Sequence, residues 1–367
     1  MSTFVNKSQI RASFFPGPLS NGCSSWGSCG IFALGAQHSI LLYKANTKCI
    51  DYLRAVEIQD GSNPTILEFH DKFPYLCIVT DNFTISIFDC VSGHFIGRTR
   101  QLGTKILAMK WYNNFIICFT QSNTLLSIDF FDQINGNNLH NINILNNNLN
   151  NNNNNNNNSN NDINNYTGNY LSLSPIMVWN VEINENFTNI EIDPFSQTFQ
   201  VLLYSTISNS FLIINSDSPM HQPMPPFQTQ SMTGVSNIVD AVFHPHFKNV
   251  IIVLLPSSAI FYELQTKSLR TIISDLPPIF SRIFPSQSDS NELTIYCKDN
   301  SFMLFHAREN DNTIFEKASS TQLKREQMAN PPPLLFAYNQ HFMDYLIAVS
   351  AQYGIFMLCS NFLGQTK

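Results

Sequence analysis

The sequence predicts an all-β fold, about seven small antiparallel sheets stacked side by side as a β-propeller. Three observations carry this. Short apolar runs of strand length come in pairs with turn residues between them. The pairs recur at a spacing of about 40 to 50 residues. Few windows of helical length keep a 3.6-residue apolar period. The clearest pair is Tyr75 to Asp89, YLCIVTDNFTISIFD. Leu76 to Val79 is an unbroken apolar run, and Asp81-Asn82 supplies turn residues that tolerate positive φ. Phe83, Ile85 and Ile87 then alternate with Thr84 and Ser86, the period of a strand.

Taken in order, residues 1–21 read as irregular, broken at Pro16-Gly17-Pro18, and are a candidate ring-closing strand. Sheet-forming sequence is expected over 22–135 and again over 171–367. The first hairpin is Ile31–Leu34 with Ile40–Tyr43, turning through Gly35 to His38. The second is the stretch above, left through Ser92-Gly93. The third joins Phe115–Phe119 to Leu125–Phe130 across Gln121 to Thr124. Four more follow: Phe199–Tyr204 with Phe211–Ile214, Val250–Leu255 with Ile260–Leu264, Leu293–Tyr296 with Phe302–Phe305, and Tyr345–Val349 with Ile355–Leu358. A further strand precedes most of them, at Thr65–Phe69, Ile106–Trp111, Thr188–Ile192, Ile238–Phe243 and Leu334–Tyr338. Lys317–Met328 is the best helical candidate and reads as a loop with one or two turns before Pro331-Pro332-Pro333.

Residues 136–170 form a polar insertion, almost pure Asn from Asn146 to Asn161. Such sequence cannot offset the entropy of ordering and is expected to be disordered. It is expected between the third hairpin and the next sheet. Lengthening a loop from ~5 to ~40 residues costs only about 2 kcal/mol of closure entropy, which a ring of large interfaces absorbs.

Composition fits sheets buried on both faces: 30 of 367 residues are Phe and 13% are charged. The net charge of -6 gives no basic field for nucleic acid or an anionic membrane. The N-terminus lacks a signal-peptide pattern, and the run Val250–Leu255 is far below the ~18 residues of a membrane span. The expected location is the cytoplasm, with membranes met only through partners. Eight cysteines at irregular spacings, without C-x-x-C, read as buried reduced thiols.

Signatures of catalysis are missing. No P-loop, dinucleotide fingerprint, nucleophile elbow or H-E-x-x-H occurs. His244-Pro245-His246 offers two imidazoles without a third metal ligand nearby, and a turn role fits it better. Asp71, Asp81, Asp89 and Asp193 read as turn residues. No enzyme activity, catalytic residue, cofactor or metal is expected. Two loops are candidate partner contacts. One is the Pro-rich stretch Pro219 to Phe227, with Pro219, Met220, Pro223, Met224 and Phe227 as contact residues. The other is Lys317 to Pro333, with Lys324 and Arg325. Both also read as ordinary inter-sheet loops.

The hairpins resemble degenerate WD repeats. Phe88-Asp89 stands where that family has its Trp-Asp ending, and Ile238-Val239-Asp240-Ala241-Val242-Phe243-His244-Pro245 resembles its third-strand consensus. Most repeats lack the family's Gly-His and Trp-Asp pairs, the residues that build its buried polar tetrad. A closer resemblance is to the N-terminal propeller of the WD-repeat protein 11 family. Trp26-Gly27, Gly30 to Gly35, Ser39, Met177-Val178-Trp179-Asn180, Ile192-Asp193-Pro194-Phe195 and the run from Asp240 through Phe305 carry it. That resemblance implies a non-enzymatic scaffold of vesicle tethering between endosomes and the trans-Golgi network, with tethering or adaptor proteins as partners. It also implies that this chain corresponds to the first of two propellers. The alternatives are a nuclear or signalling WD-repeat adaptor, and a propeller that binds a small ligand or catalyses in its channel. The last needs carboxylates or histidines converging at channel-facing strand starts, and none is evident.

Overall fold

The computed structural model describes residues 19–45, 50–133, 171–181, 186–193, 198–221, 229–231, 237–276, 280–286, 289–297, 301–309, 311–322, 335–338, 345–350 and 354–359. They form seven sheets. The first holds β1 (Leu19–Trp26), β2 (Ile31–Ala36), β3 (Ser39–Ala45) and β4 (Ile50–Glu57). The second holds β5 (Pro64–Phe69), β6 (Tyr75–Thr80), β7 (Ile85–Asp89) and β8 (His94–Thr99). The third begins with β9 (Ile106–Tyr112), β10 (Phe115–Thr120) and β11 (Thr124–Asp129). After residue 170 the chain adds β12 (Leu171–Leu173) to the outer edge of the second sheet, parallel to β8. It then returns as β13 (Met177–Asn180), the outer strand of the third.

The fourth sheet is β14 (Asn189–Ile192), β15 (Phe199–Tyr204), β16 (Ser210–Ser216) and β17 (Thr229–Ser231). The fifth is β18 (Asp240–Phe243), β19 (Val250–Leu255), β20 (Ser258–Glu263) and β21 (Ser268–Ile273). The sixth is β22 (Phe280–Pro285), β23 (Glu292–Cys297), β24 (Ser301–Arg308) and β25 (Asp311–Gln322). The seventh comprises β26 (Leu335–Tyr338), β27 (Tyr345–Ser350) and β28 (Gly354–Cys359) among the described residues. The first strand of each sheet lies innermost. β1 adjoins β5, β5 adjoins β9, and so on through β14 and β18 to β22; β26 lies against β1.

The continuous apolar runs are explained by how these sheets pack. In β6, Leu76 and Ile78 enter the core shared with the first sheet, while Cys77 and Val79 enter the core shared with the third. In β10, Ile116 and Cys118 face the second sheet, and Ile117 and Phe119 face the fourth. β15 repeats this with Val201 and Leu203 against Leu202 and Tyr204, and β19 with Ile251 and Val253 against Ile252 and Leu254. The period of two survives, but both of its phases are buried.

All seven expected hairpins are present, as are the five preceding strands, which are inner strands. Several expectations need correction. Residues 19–21, read as irregular, already belong to β1; the ring-closing role foreseen for the N-terminus lies outside the described residues. The inner strand β22 gave no clear signal. Lys317 to Gln322, read as loop with helical turns, continues β25, where Lys317 pairs with Phe305; residues 323–334 are outside the described set. The insertion falls within the third sheet, before its outer strand, and not between that hairpin and the next sheet. Gly35 is strand, so the first turn is only Gln37-His38.

The turn after β6 also differs. Positive φ falls on Phe83 (66°), not on Asp81 or Asn82. Phe83 N–H donates to the Thr80 carbonyl at 3.0 Å, and Asn123 (φ 56°) donates to Thr120 at 3.1 Å in the same place one sheet on. Both are three-residue hairpin loops whose last residue takes the left-handed conformation. The flanking hydroxyls support the repeat: Thr80 Oγ1 lies 2.8 Å from Thr84 Oγ1, and Thr124 N–H donates to Thr120 Oγ1 at 3.2 Å. An aromatic residue at positive φ is costly, and the loop geometry fixes it there.

The return of the chain to the second sheet is tightly seated. Leu173 is buried in the core between the second and third sheets, and a Cβ on Gly97 would come within 3.0 Å of its Cδ1. Gln133 holds the base of the insertion: Nε2 donates to the Ser174 carbonyl at 2.8 Å, and Oε1 accepts from Ser174 N–H at 2.9 Å. Leu173→Ala is expected to reduce unfolding free energy by about 2–4 kcal/mol in urea titrations. Ser172→Ala, on the exposed side of the same strand, is expected to change it by less than about 0.5 kcal/mol. Equal effects would mean that β12 is not docked.

Candidate functional site

The inner strands bring distant residues together around the channel. Glu68, Lys110 and Glu191 each stand at the same level of three consecutive inner strands, β5, β9 and β14. Lys110 Nζ lies 3.7 Å from Glu68 Oε1 and 3.5 Å from Glu191 Oε1. At the same level Val242 and Phe284 stand on β18 and β22. The charge is not confined to these strands, since Arg282 on β22 lies close enough to act on both Lys110 and Glu191. Burial pushes the Glu68 carboxyl up to about 7, with Lys110 opposing and Glu191 reinforcing the shift. Burial also raises Glu191. The two carboxylates, Glu191 foremost, hold the Lys110 ammonium well above its ordinary range. Sequence reading missed this group. Its one visible signal is a charged residue inside an apolar strand, two positions before the turn, in Leu67-Glu68-Phe69, Met109-Lys110-Trp111 and Ile190-Glu191-Ile192.

Polar contacts tie neighbouring inner strands, each pair by different chemistry. Phe69 N–H donates to Ser25 Oγ at 3.0 Å between the first and second sheets. Trp111 Nε1–H donates to the Glu68 carbonyl at 3.1 Å between the second and third. Lys110 links the third to the fourth. Asp240 joins three sheets at once: Oδ1 accepts from the Tyr204 hydroxyl at 2.8 Å, and Oδ2 from Ile283 N–H at 2.9 Å. Burial, then Asp240, drives the Tyr204 hydroxyl well above its usual range.

The turns from inner to second strand share one face of the disc, and their side chains follow a common plan. His70, Asp193, His244 and Ser286 occupy the same position, each donating its backbone N–H across the turn, to Tyr75, Gln200, Val250 and Glu292. His70 Nδ1 accepts from Lys72 N–H at 3.0 Å and Phe73 N–H at 3.3 Å. His244 Nδ1 accepts from His246 and Phe247 N–H, both at 3.1 Å. The ring then packs on the phenylalanine three residues on, with centroids 5.0 Å apart for Phe73 and 4.3 Å for Phe247. An Nδ1 that accepts two N–H bonds requires neutral imidazole. Burial accordingly pushes His70 down to about 4, against the pull of the Asn113 backbone, and His244 down to about 3. The reading of His244-Pro245-His246 as a turn fits this geometry; His246 Nε2 lies 3.0 Å from the Ser286 carbonyl.

Of the foreseen contact residues, Met220 is 52% exposed on a short turn and Pro219 is buried. Ser216 Oγ holds that turn, donating to the Ser218 or His221 carbonyl, both at 2.9 Å. Pro223, Met224, Phe227, Lys324 and Arg325 lie outside the described residues. The described cysteines form no disulfide with one another; Cys23, Cys77, Cys90, Cys118 and Cys297 are buried, while Cys29 is exposed. Among the described residues no group of three or more His, Cys, Asp or Glu is arranged to hold a metal ion, and no helix is long and apolar enough to cross a membrane.

The architecture is widely shared, since 1472 chains of solved structures match it. One chain of a crystal structure of a mitotic checkpoint complex has a TM-score of 0.62 and 9% identity, covering 94% of this chain and 92% of that chain. At that identity the likeness fixes the fold, a WD40-type β-propeller, and carries no partner with it. No protein-family model matches the sequence, and no curated protein matches it.

Asp240→Ala leaves the Tyr204 hydroxyl and the Ile283 N–H buried without an acceptor. It is expected to cost about 2–4 kcal/mol in urea denaturation. Tyr204→Phe removes only one donor and is expected to cost about 1 kcal/mol; a larger loss for Tyr204→Phe would mean that Asp240 is not the joint. A second expectation concerns acid. The ordinary histidine pKa is 6.5 and that of folded His244 is about 3. Below pH 6.5 the unfolded chain binds the extra proton, so this residue removes stability as pH falls toward 3 and contributes no slope above 6.5. Glu68 acts oppositely, losing its relief as pH rises from 4.5 to about 7. The test is therefore differential: His244→Asn keeps a turn acceptor without the titration, and its stability deficit should shrink between pH 6.5 and 4.5. A constant deficit would exclude the histidine as the source.

Proposed function

We propose that this chain is a non-enzymatic WD40-type scaffold for assembling other proteins, acting in vesicle tethering between endosomes and the trans-Golgi network. The observation that carries the scaffold reading is where apolar side chains remain exposed. The facing sides of the sheets are spent against one another, yet Phe73, Val91, Ile207, Met220 and Phe247 stand exposed on turns, and Tyr52, Leu53, Val178 and Leu269 on outer strands. Rigid turns with exposed anchors suit protein contacts. The trafficking assignment rests on the sequence resemblance alone. A nuclear or signalling adaptor is the alternative partner class. A small-ligand or catalytic channel is the less favoured reading; it draws on Glu68 at about 7, and Lys110 counts against it by pairing with both flanking carboxylates.

Affinity capture of the tagged full chain from its own cells, read by mass spectrometry, tests this. Recovery of Golgi or endosome tethering proteins is the expected result. Recovery of nuclear assemblies would move the chain to the alternative, and recovery of chaperones alone would overturn the scaffold reading.

A further inference from the structure

The seam between the second and third sheets carries an aromatic shelf on the face that holds the inner-to-second turns. Its floor is buried: Trp111, Phe130 and His70 are almost inaccessible. Trp111 meets His70 at 4.7 Å and Phe130 at 5.7 Å between ring centroids. Tyr75 and Phe131 stand half-buried above it, and Phe73 is 41% exposed at the rim. Phe73 stacks on Tyr75 at 5.8 Å and 28°, and tilts onto Phe131 at 5.2 Å. Each ring is held by at least two others. The backbone under Phe73 is fixed by its N–H bond to His70. The shelf is thus preorganised, and a partner seated on it freezes little further motion.

Its rim is acidic. Asp71 shares the turn with Phe73, Asp89 pairs across the strands with Tyr75, and Asp132 follows Phe131. Lys72 is the cation of that turn, and Arg54 donates to the Cys90 carbonyl next to Asp89, so the carboxylates outnumber the cations around the rim without being alone there. Rings surrounded by carboxylates favour an apolar group that arrives with positive charge on its flanks. Cation–π contact with the same rings adds to this.

We propose that this shelf is a docking site for a short partner segment with an aromatic or aliphatic anchor flanked by lysine or arginine. The inference rests on the scaffold reading and assigns it a surface and a partner chemistry. The anchor packs on Phe73, Tyr75 and Phe131, and the flanking cations face Asp71, Asp89 and Asp132.

The test uses the intact chain and a random twelve-residue peptide library displayed on phage. Selection is expected to enrich peptides with an aromatic or aliphatic residue next to lysine or arginine. Labelled synthetic copies should bind roughly tenfold or more weakly to Phe73→Ala. Asp132→Lys, an exposed change that leaves the rings in place, should also weaken them, and the affinity should fall as salt rises. Thermal denaturation of both variants checks that they fold like the parent. Enriched peptides without basic residues, equal binding by Phe73→Ala, or no enrichment would each overturn the proposal. So would binding that appears only when residues 134–170 are deleted, which would make the chain's own insertion the occupant. A monomer–dimer equilibrium abolished by Phe73→Ala would make it a second copy. The two readings fail separately: partners captured equally by the parent and by Phe73→Ala would leave the scaffold standing and remove this surface.

Discussion

Every strand pair in this molecule must bury two faces, and no sheet of four short strands does that by itself. A residue such as Ile117 is useful only because the fourth sheet is there, and its neighbour Ile116 only because the second is. Stability is therefore held at the boundaries between sheets, not within them. The same constraint sets the composition. With both phases of the strand period buried, the second and third strands carry few charges, and their polar residues are mostly small or neutral ones such as Ser86, Ser127, Gln200 and Thr294.

Hydrophobic faces alone do not specify which sheet meets which, because Val, Ile, Leu and Phe are nearly interchangeable across such boundaries. The polar ties supply that discrimination. Ser25 with Phe69 N–H, Trp111 with the Glu68 carbonyl, Lys110 with Glu191, and Asp240 with Tyr204 and Ile283 N–H are not interchangeable pairs. Misplacing one sheet would bury an unpaired donor or carboxylate, a penalty of about 1–3 kcal/mol or more that the correct arrangement avoids. Each of the five boundaries from the first sheet to the sixth carries its own contact, so these contacts help to fix the order of the sheets as well as their geometry.

What was legible in the sequence follows from the same physics. The second and third strands of each sheet are buried on both faces, so runs such as Val250–Leu255 stand out, and all seven hairpins were readable. Outer strands are half-exposed and read as loop: β4 is Ile50-Asp51-Tyr52-Leu53-Arg54, and β25 contains Lys317-Ala318-Ser319-Ser320. The inner strand β22, Phe280 to Pro285, carries an arginine and a terminal proline, both misleading for a strand. The turn residues Asp81 and Asn82 drew the expectation of positive φ, but loop length placed it on Phe83. Glu68, Lys110 and Glu191 are far apart in the chain, and nothing local says that their strands are neighbours. Only their shared distance from the turn reveals the level at which they meet.

The insertion shows how the boundary constraint governs tolerance to change. A long polar segment within a sheet ought to detach the strand that follows it. Here the chain spans the seam instead, laying Leu173 into the core between two sheets before β13 completes the third. Gly97 leaves the space for Leu173, and Gln133 bonds both ways to Ser174, so the two ends of the segment are joined where they leave the folded body. Closing the loop at its base separates its length from the packing of the sheets, since closure entropy then grows only logarithmically. That seam also holds the ring cluster of His70, Phe73, Tyr75, Trp111, Phe130 and Phe131. Leu173 packs in the same core as Trp111 and Phe130, so the rings under that exposed aromatic surface also seat the strand that follows the insertion. One set of contacts thus serves both the return of the chain and the preorganisation that a docking surface requires.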